Sequence, residues 1–166
     1  MTTCIQNGTL VTGAETSPGD LLIENGIIQK VGVGLSGDHN IDATGCLVFP
    51  GFIDGHTHMD MPVSGTVTAD DFKTGSEAAL VGGTTMLIDF ATQDKGGTLK
   101  DALRVWHERA DGKCACDYGF HMAVTDWNEQ TRRELHEMAD AGVTSFKAYY
   151  AYDALMVDDR EMYDLL

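Results

Sequence analysis

The sequence predicts an α/β protein in two parts, a small β module over residues 1–47 and an alternating strand–helix region over residues 48–166. Three observations predict it. Short apolar runs broken by glycine turns fill the chain up to Cys46, strand-like and helix-like segments then alternate, and the apolar run joining the two parts ends in His56-Thr57-His58. The first pattern gives hairpins, the second a parallel sheet with right-handed crossovers, and the third a strand whose end carries chemistry.

The β segments of the module are Cys4 to Gln6, Leu21 to Glu24 and Ile27 to Val31. Asn25-Gly26 separates the last two, and both residues tolerate the positive φ that a tight hairpin turn requires. Asn7-Gly8 repeats that signal, and Asp42 to Gly45 is a polar turn before Leu47 to Phe49. Asp20, Glu24 and His39 are read as surface residues.

Val48 to Asp60 is read as one strand that delivers the two histidines. A helix capped by Asp70 or Asp71 runs to about Leu80 and stops at Gly82-Gly83. Thr84 to Ala91 is a buried strand, and Leu99 to Ala110 is a helix capped by Thr98 and closed near Gly112. A strand at Asp117 to Val124, a helix over Glu129 to Ala141, a strand at Thr144 to Tyr149 and a helix opened by Asp158 and Asp159 follow. No phosphate-binding glycine loop follows any strand, which removes the usual reason for a doubly wound sheet. A (β/α)₈ TIM-type barrel needs about 250 residues. Four strands are therefore expected to be its first half, and the chain part of a longer one.

Composition excludes several classes. With 43% hydrophobic and 22% charged residues, the 166-residue chain has the make-up of a globular protein. Its 26 acidic against 11 basic residues, net charge −15, argue against nucleic acid and anionic membranes, which need clustered Lys and Arg. The N-terminus lacks the basic and apolar regions of a signal peptide, and no apolar run reaches about 18 residues, so a cytoplasmic protein is expected. Cys4, Cys46, Cys114 and Cys116 show no Cys-x-x-Cys spacing and are read as reduced thiols.

Alternate residues of a strand point the same way, so His56 and His58 project together and can share one cation. Neutral imidazole suits zinc and similar ions. Lys147 is the second oddity, since an ammonium inside an apolar strand is costly to bury. Burial favours its neutral amine, which can take up carbon dioxide to give a carbamate with two oxygens able to bridge metal ions. The alternatives are a lysine that snorkels to solvent or one that pairs with Asp89. Asp89 and Asp54 are candidates to hydrogen-bond a metal histidine, although a backbone-turn role fits Asp54 equally. His121 reads as a satisfied core histidine; His107 and His136 read as surface residues.

Pro50-Gly51-Phe52-Ile53-Asp54-Gly55-His56-Thr57-His58, then Gly82-Gly83-Thr84-Thr85-Met86-Leu87-Ile88-Asp89-Phe90, then Ser145-Phe146-Lys147 to Ala151-Tyr152 together resemble the hydantoinase and dihydropyrimidinase family of cyclic amidohydrolases. The resemblance covers essentially the whole chain. It implies an N-terminal β-sandwich module that packs with returning C-terminal strands, followed by a metal-dependent TIM-type barrel. It further implies two divalent ions, zinc above all, with His56 and His58 binding one of them and carboxylated Lys147 bridging the pair. Tyr152 matches the tyrosine whose hydroxyl stabilises the oxyanion; position alone fits a packing aromatic as well. The implied reaction opens a cyclic amide to an N-carbamoyl amino acid, in a homodimer or homotetramer. Two further histidine ligands and a proton-shuttling aspartate would lie beyond Leu166, so the chain alone is expected to be inactive.

Dihydroorotases place an arginine where this chain has Asp60, which would repel an anionic substrate, and the loop Met59 to Gly65 lacks the Glu-Pro-Gly of allantoinases. A neutral ureide or imide is expected, either a dihydropyrimidine or a 5-substituted hydantoin. The loops Met61 to Thr68, Thr92 to Thr98 and Asp153 to Asp158 should line the pocket mouth, with Met61, Val63, Leu155 and Met156 as apolar members. Two rivals are a non-catalytic oligomerising scaffold of the same fold and a self-contained binding domain. The presence of His56, His58 and Lys147 together favours the enzyme over the scaffold.

Overall fold

A computed structural model describes residues 1–166. The chain forms two compact units, Met1–Gly51 and Phe52–Leu166. No helix is long and apolar enough to cross a membrane.

The first unit is a five-stranded sheet of β1 (Thr2–Val11), β2 (Thr16–Glu24), β3 (Ile27–Gly32), β4 (His39–Asp42) and β5 (Leu47–Val48), ordered β3-β2-β1-β4 with β5 also on β1. The β2–β3 turn uses Asn25 (φ 51°) and Gly26 (φ 76°), both left-handed as the Asn-Gly pair requires. Asn7-Gly8 behaves differently. Asn7 has φ 61° but sits inside β1, at a break of register between Ile5 and Gly8, so the pair makes a bulge instead of a turn. The hairpin closes later, where Thr12 N–H donates to the Glu15 carbonyl at 2.9 Å.

The bulge corrects the placement of Asp20 at the surface. Its side chain is 4% exposed and accepts from Asn7 N–H at 2.8 Å and Leu35 N–H at 2.9 Å. Amides turned out of the ladder need an acceptor, and a carboxylate supplies two oxygens. Glu24 and His39 are exposed, as expected. The amide donors of Asn7 and Leu35 hold the Asp20 carboxyl below its ordinary value of 3.8. Protonating it in the folded state is therefore harder than in the unfolded chain. Its stabilisation is complete above pH 3.8 and is lost as pH falls through the lower folded value. Asp20→Asn should lower the thermal midpoint at pH 7 by about 5 °C. It should also flatten the acid limb, as thermal melts between pH 2 and 7 would show.

The second unit contains β6 (Phe52–Thr57), β7 (Pro62–Val63), β8 (Thr66–Val67), α1 (Phe72–Val81), β9 (Thr84–Thr92), α2 (Leu99–Ala110), β10 (Asp117–Val124), α3 (Glu129–Asp140), β11 (Phe146–Ala148) and α4 (Asp159–Leu165). Asp71, Thr98, Asn128 and Asp158 cap the four helices, each accepting from a first-turn amide. The strands β6, β9, β10 and β11 are parallel, and each lies beside the next in chain order. A doubly wound sheet reverses its strand order part-way, whereas a barrel continues in one direction. This sheet continues.

The run Val48 to Asp60 is not one strand. Leu47–Val48 pairs with β1 in the first unit, and Phe52–Thr57 pairs with β9 in the second. Pro50 separates them, because it has no N–H to give to a ladder. The Thr144 to Tyr149 segment shortens to Phe146–Ala148. Met61 to Thr68, read as a loop, carries the β7–β8 hairpin, turned by Ser64 (φ 48°) and Gly65 (φ 82°).

The core of the second unit lies between the sheet and its helices. Leu99, Ala102, Leu103, Trp106 and Ala110 of α2 pack with Phe72 of α1, Ala91 of β9, Phe120, Met122 and Val124 of β10, and Met138 of α3. The edge strands stay open: Phe52 and Ile53 of β6 are 53% and 63% exposed, and Phe146 of β11 is 38% exposed.

Candidate metal centre

Three of the sequence-predicted residues meet around one ring. His56 and His58 flank buried Thr57 at the end of β6 and turn to the face opposite it, as strand alternation requires. Their Nε2 atoms lie 3.2 Å apart. The Phe90 ring of β9 packs against both, with centroid separations of 4.6 Å to His56 and 5.1 Å to His58. Lys147 of β11 places Nζ 4.2 Å from the Phe90 centroid and 4.8 Å from that of Tyr149. The terminal nitrogen therefore rests on aromatic faces.

Two imidazole nitrogens bound to one tetrahedral zinc at about 2.0–2.1 Å would stand about 3.3 Å apart. The Nε2 separation of 3.2 Å matches that span. Burial pushes the His58 pKa down, Asp89 opposes the shift, and Lys147 and His56 add to it, which favours the neutral ligand form. The Nδ1 of His58 is buried and has no hydrogen-bond partner. No group of three or more His, Cys, Asp or Glu side chains is placed to hold a metal ion. The donor set is thus two imidazoles and one amine, which fits part of a metal site.

The neighbours are sorted by their hydrogen bonds. Asp89 is fully buried but does not reach a histidine ring or Lys147; it accepts from the Thr57 hydroxyl, the Met59 and Phe90 amides and the Trp106 indole. Asp54 takes the turn role, accepting from His56 N–H at 3.1 Å. Both nitrogens of His121 are engaged, one with the Ser145 hydroxyl and the other with the Gly55 carbonyl at 3.0 Å. That leaves it no lone pair for a metal. His107 pairs with Asp111, and His136 is exposed.

Tyr152 lies in the loop before α4, 72% exposed, with its ring 6.4 Å from that of Tyr149. Its φ is 70°, a conformation bulky side chains rarely adopt, held because the Leu155 and Met156 amides donate to its carbonyl at 2.7 and 2.9 Å. Such strain concentrates at functional sites.

All three expected loops contribute to one cavity of about 790 Å³, through Met61, Val63, Lys95 and Leu155 among others. Asp101, Arg104 and Arg109 of α2 form its other wall and none of His56, His58, Lys147 and Tyr152 lines it, so it lies beside the imidazole cluster and does not enclose it. Met156 instead gives its carbonyl to Lys95 Nζ at 3.1 Å. Lys95 was not legible in the sequence as a lining residue, because only the folded loops bring it to the cavity.

The amidohydrolase family model matches residues 47–165. The chain belongs to the amidohydrolase family. Members of the amidohydrolase family are metal-dependent, which agrees with the donors found at the strand ends. The chain is 48% identical over 170 residues to the D-hydantoinase of Geobacillus stearothermophilus, covering 100% of this chain and 36% of that protein. It is 44% identical to the dihydropyrimidinase of Rattus norvegicus, covering 96% of this chain and 32% of the other. Among solved structures, the dihydropyrimidinase of Brevibacillus agri superposes with a TM-score of 0.96 at 44% identity, over 100% of this chain and 37% of that one. This amidohydrolase chain spans about a third of the length of the curated relatives it matches.

Proposed function

We propose that this chain supplies the first barrel strands of a metal-dependent cyclic amidohydrolase. The substrate is a neutral cyclic ureide or imide, a dihydropyrimidine or a 5-substituted hydantoin, and the product is an N-carbamoyl amino acid. The observation that carries the reading is the Nε2 pair of His56 and His58, 3.2 Å apart and packed against the same Phe90 ring as Lys147. The relatives named D-hydantoinase and dihydropyrimidinase support the substrate class.

In this proposal His56 and His58 would hold one divalent ion, and Lys147, carboxylated on Nζ, would be a ligand shared with a second, zinc being the ion these donors suit. Bound there, the ions lower the pKa of water toward neutrality and withdraw charge from the amide carbonyl. Tyr152 donates its hydroxyl to the oxygen on which negative charge develops. One water is consumed: its oxygen adds to the carbonyl carbon, the ring C–N bond breaks, and the departing nitrogen takes the proton that the water gives up. Met61, Val63 and Leu155 face the ring substituent, and the Asp60 carboxylate disfavours an anionic substrate. A homodimer or homotetramer in the cytoplasm completes the proposal; four free cysteines support that compartment.

Metal analysis of the intact protein, paired with ring-opening assays on dihydrouracil and 5-substituted hydantoins, tests it. Bound zinc and hydrolysis that a chelator abolishes and zinc restores are expected. A metal-free protein that opens neither ring, even with zinc added, would favour the non-catalytic scaffold.

A further inference from the structure

Asp89 is fully buried, and its partners are donors rather than cations. They divide between its two oxygens. Oδ2 accepts from the Thr57 hydroxyl at 3.1 Å and from Met59 N–H at 2.7 Å, the residues on either side of His58. Oδ1 accepts from its neighbour Phe90 N–H at 2.7 Å and from Trp106 Nε1–H of α2 at 3.1 Å. A short β6 with register breaks on both sides of Asp54 gives His58 little ladder of its own, since pairing with β9 ends at Thr57. The backbone at His58 is therefore held by side-chain acceptance in place of strand pairing.

We propose that Asp89 is a positioning residue for the metal-binding imidazoles: Oδ2 fixes the chain around His58, while Oδ1 serves the separate packing of β9 on α2. The inference rests on the metal-centre reading of His56 and His58. Asp89 touches neither ring, so it acts through the backbone, unlike a carboxylate that hydrogen-bonds a ligand's second nitrogen. A carboxylate is an acceptor at every lone pair, which the four converging donors require. An asparagine would turn two N–H donors toward groups that are themselves donors.

The two oxygens make the proposal separable from plain stability. Thr57→Val deletes a donor on the His58 side, Thr57→Ser keeps it, and Trp106→Phe deletes a donor on the helix side. Zinc affinity of the intact protein, read by competition with a chromophoric chelator, and thermal midpoints are measured together. Thr57→Val should weaken zinc binding about tenfold or more, the range for groups that orient metal ligands. Thr57→Ser should restore it, and Trp106→Phe should stay within about twofold of the parent at a comparable loss of midpoint. Asp89→Asn, if it folds, should lose at least as much affinity as Thr57→Val. Unchanged zinc affinity in Thr57→Val, or affinity that simply follows the midpoint across all variants, overturns the positioning role. A parent protein that binds zinc no better than His56→Ala overturns instead the metal-centre reading beneath it.

Discussion

Replacing His56 or His58 by alanine should remove the bound metal and lower kcat/KM about a thousandfold or more. A bound ion contributes several kcal/mol of charge stabilisation at a reacting carbonyl, and each 1.36 kcal/mol is a factor of ten. Compared metal-free, the variants should scarcely differ from the parent in stability, since His56 is exposed and His58 already leaves its Nδ1 without a partner. Metal content, kcat/KM and thermal midpoint for each variant check the expectation together. Loss of activity with full metal retention would instead assign the imidazoles to proton transfer.

Lys147→Arg should cost nearly as much. Arginine preserves the positive charge and the stacking on Phe90 and Tyr149, and it would satisfy a lysine whose task is to sit over rings. It is not deprotonated in proteins, so it has no neutral amine to carry a carboxylate. The variant is expected to lose metal and to fall about a thousandfold in kcat/KM. The parent protein grown with ¹³C-labelled bicarbonate should show a carbamate carbon resonance that Lys147→Arg lacks. An active, metal-loaded Lys147→Arg would reduce the residue to a stacked cation.

Much of the second unit was legible because its signals are local. Thr98, the apolar periodicity after it and Gly112 bound α2 at Leu99–Ala110, and the Asp117 to Val124 run contains its own strand limits. The histidine pair was legible for the same reason, since spacing by two on a strand sets its geometry. What escaped is non-local. The burial of Asp20 depends on a bulge in β1 that offers it an amide, and the partners of Asp89 come from β6 and α2 as well as its own strand. The break at Pro50 was visible as a residue type, but the continuous apolar run on either side masked that its halves belong to different sheets. The β7–β8 hairpin has only two paired residues on each side, too few to show a period.

Asp89 and Phe90 are consecutive on β9, so one points to the helix layer while the other floors the cluster of imidazoles and amine. β9 is held by ladders on both sides, Thr57 opposite Asp89 on β6 and His121 opposite Phe90 on β10. A slide of this strand by a single position would exchange the two side chains. A carboxylate would then sit among the imidazoles and a benzyl group against the indole, so misalignment would poison the centre and the hydrophobic interior at one stroke. The fidelity of these two ladders thus guards both the imidazole cluster and the packing.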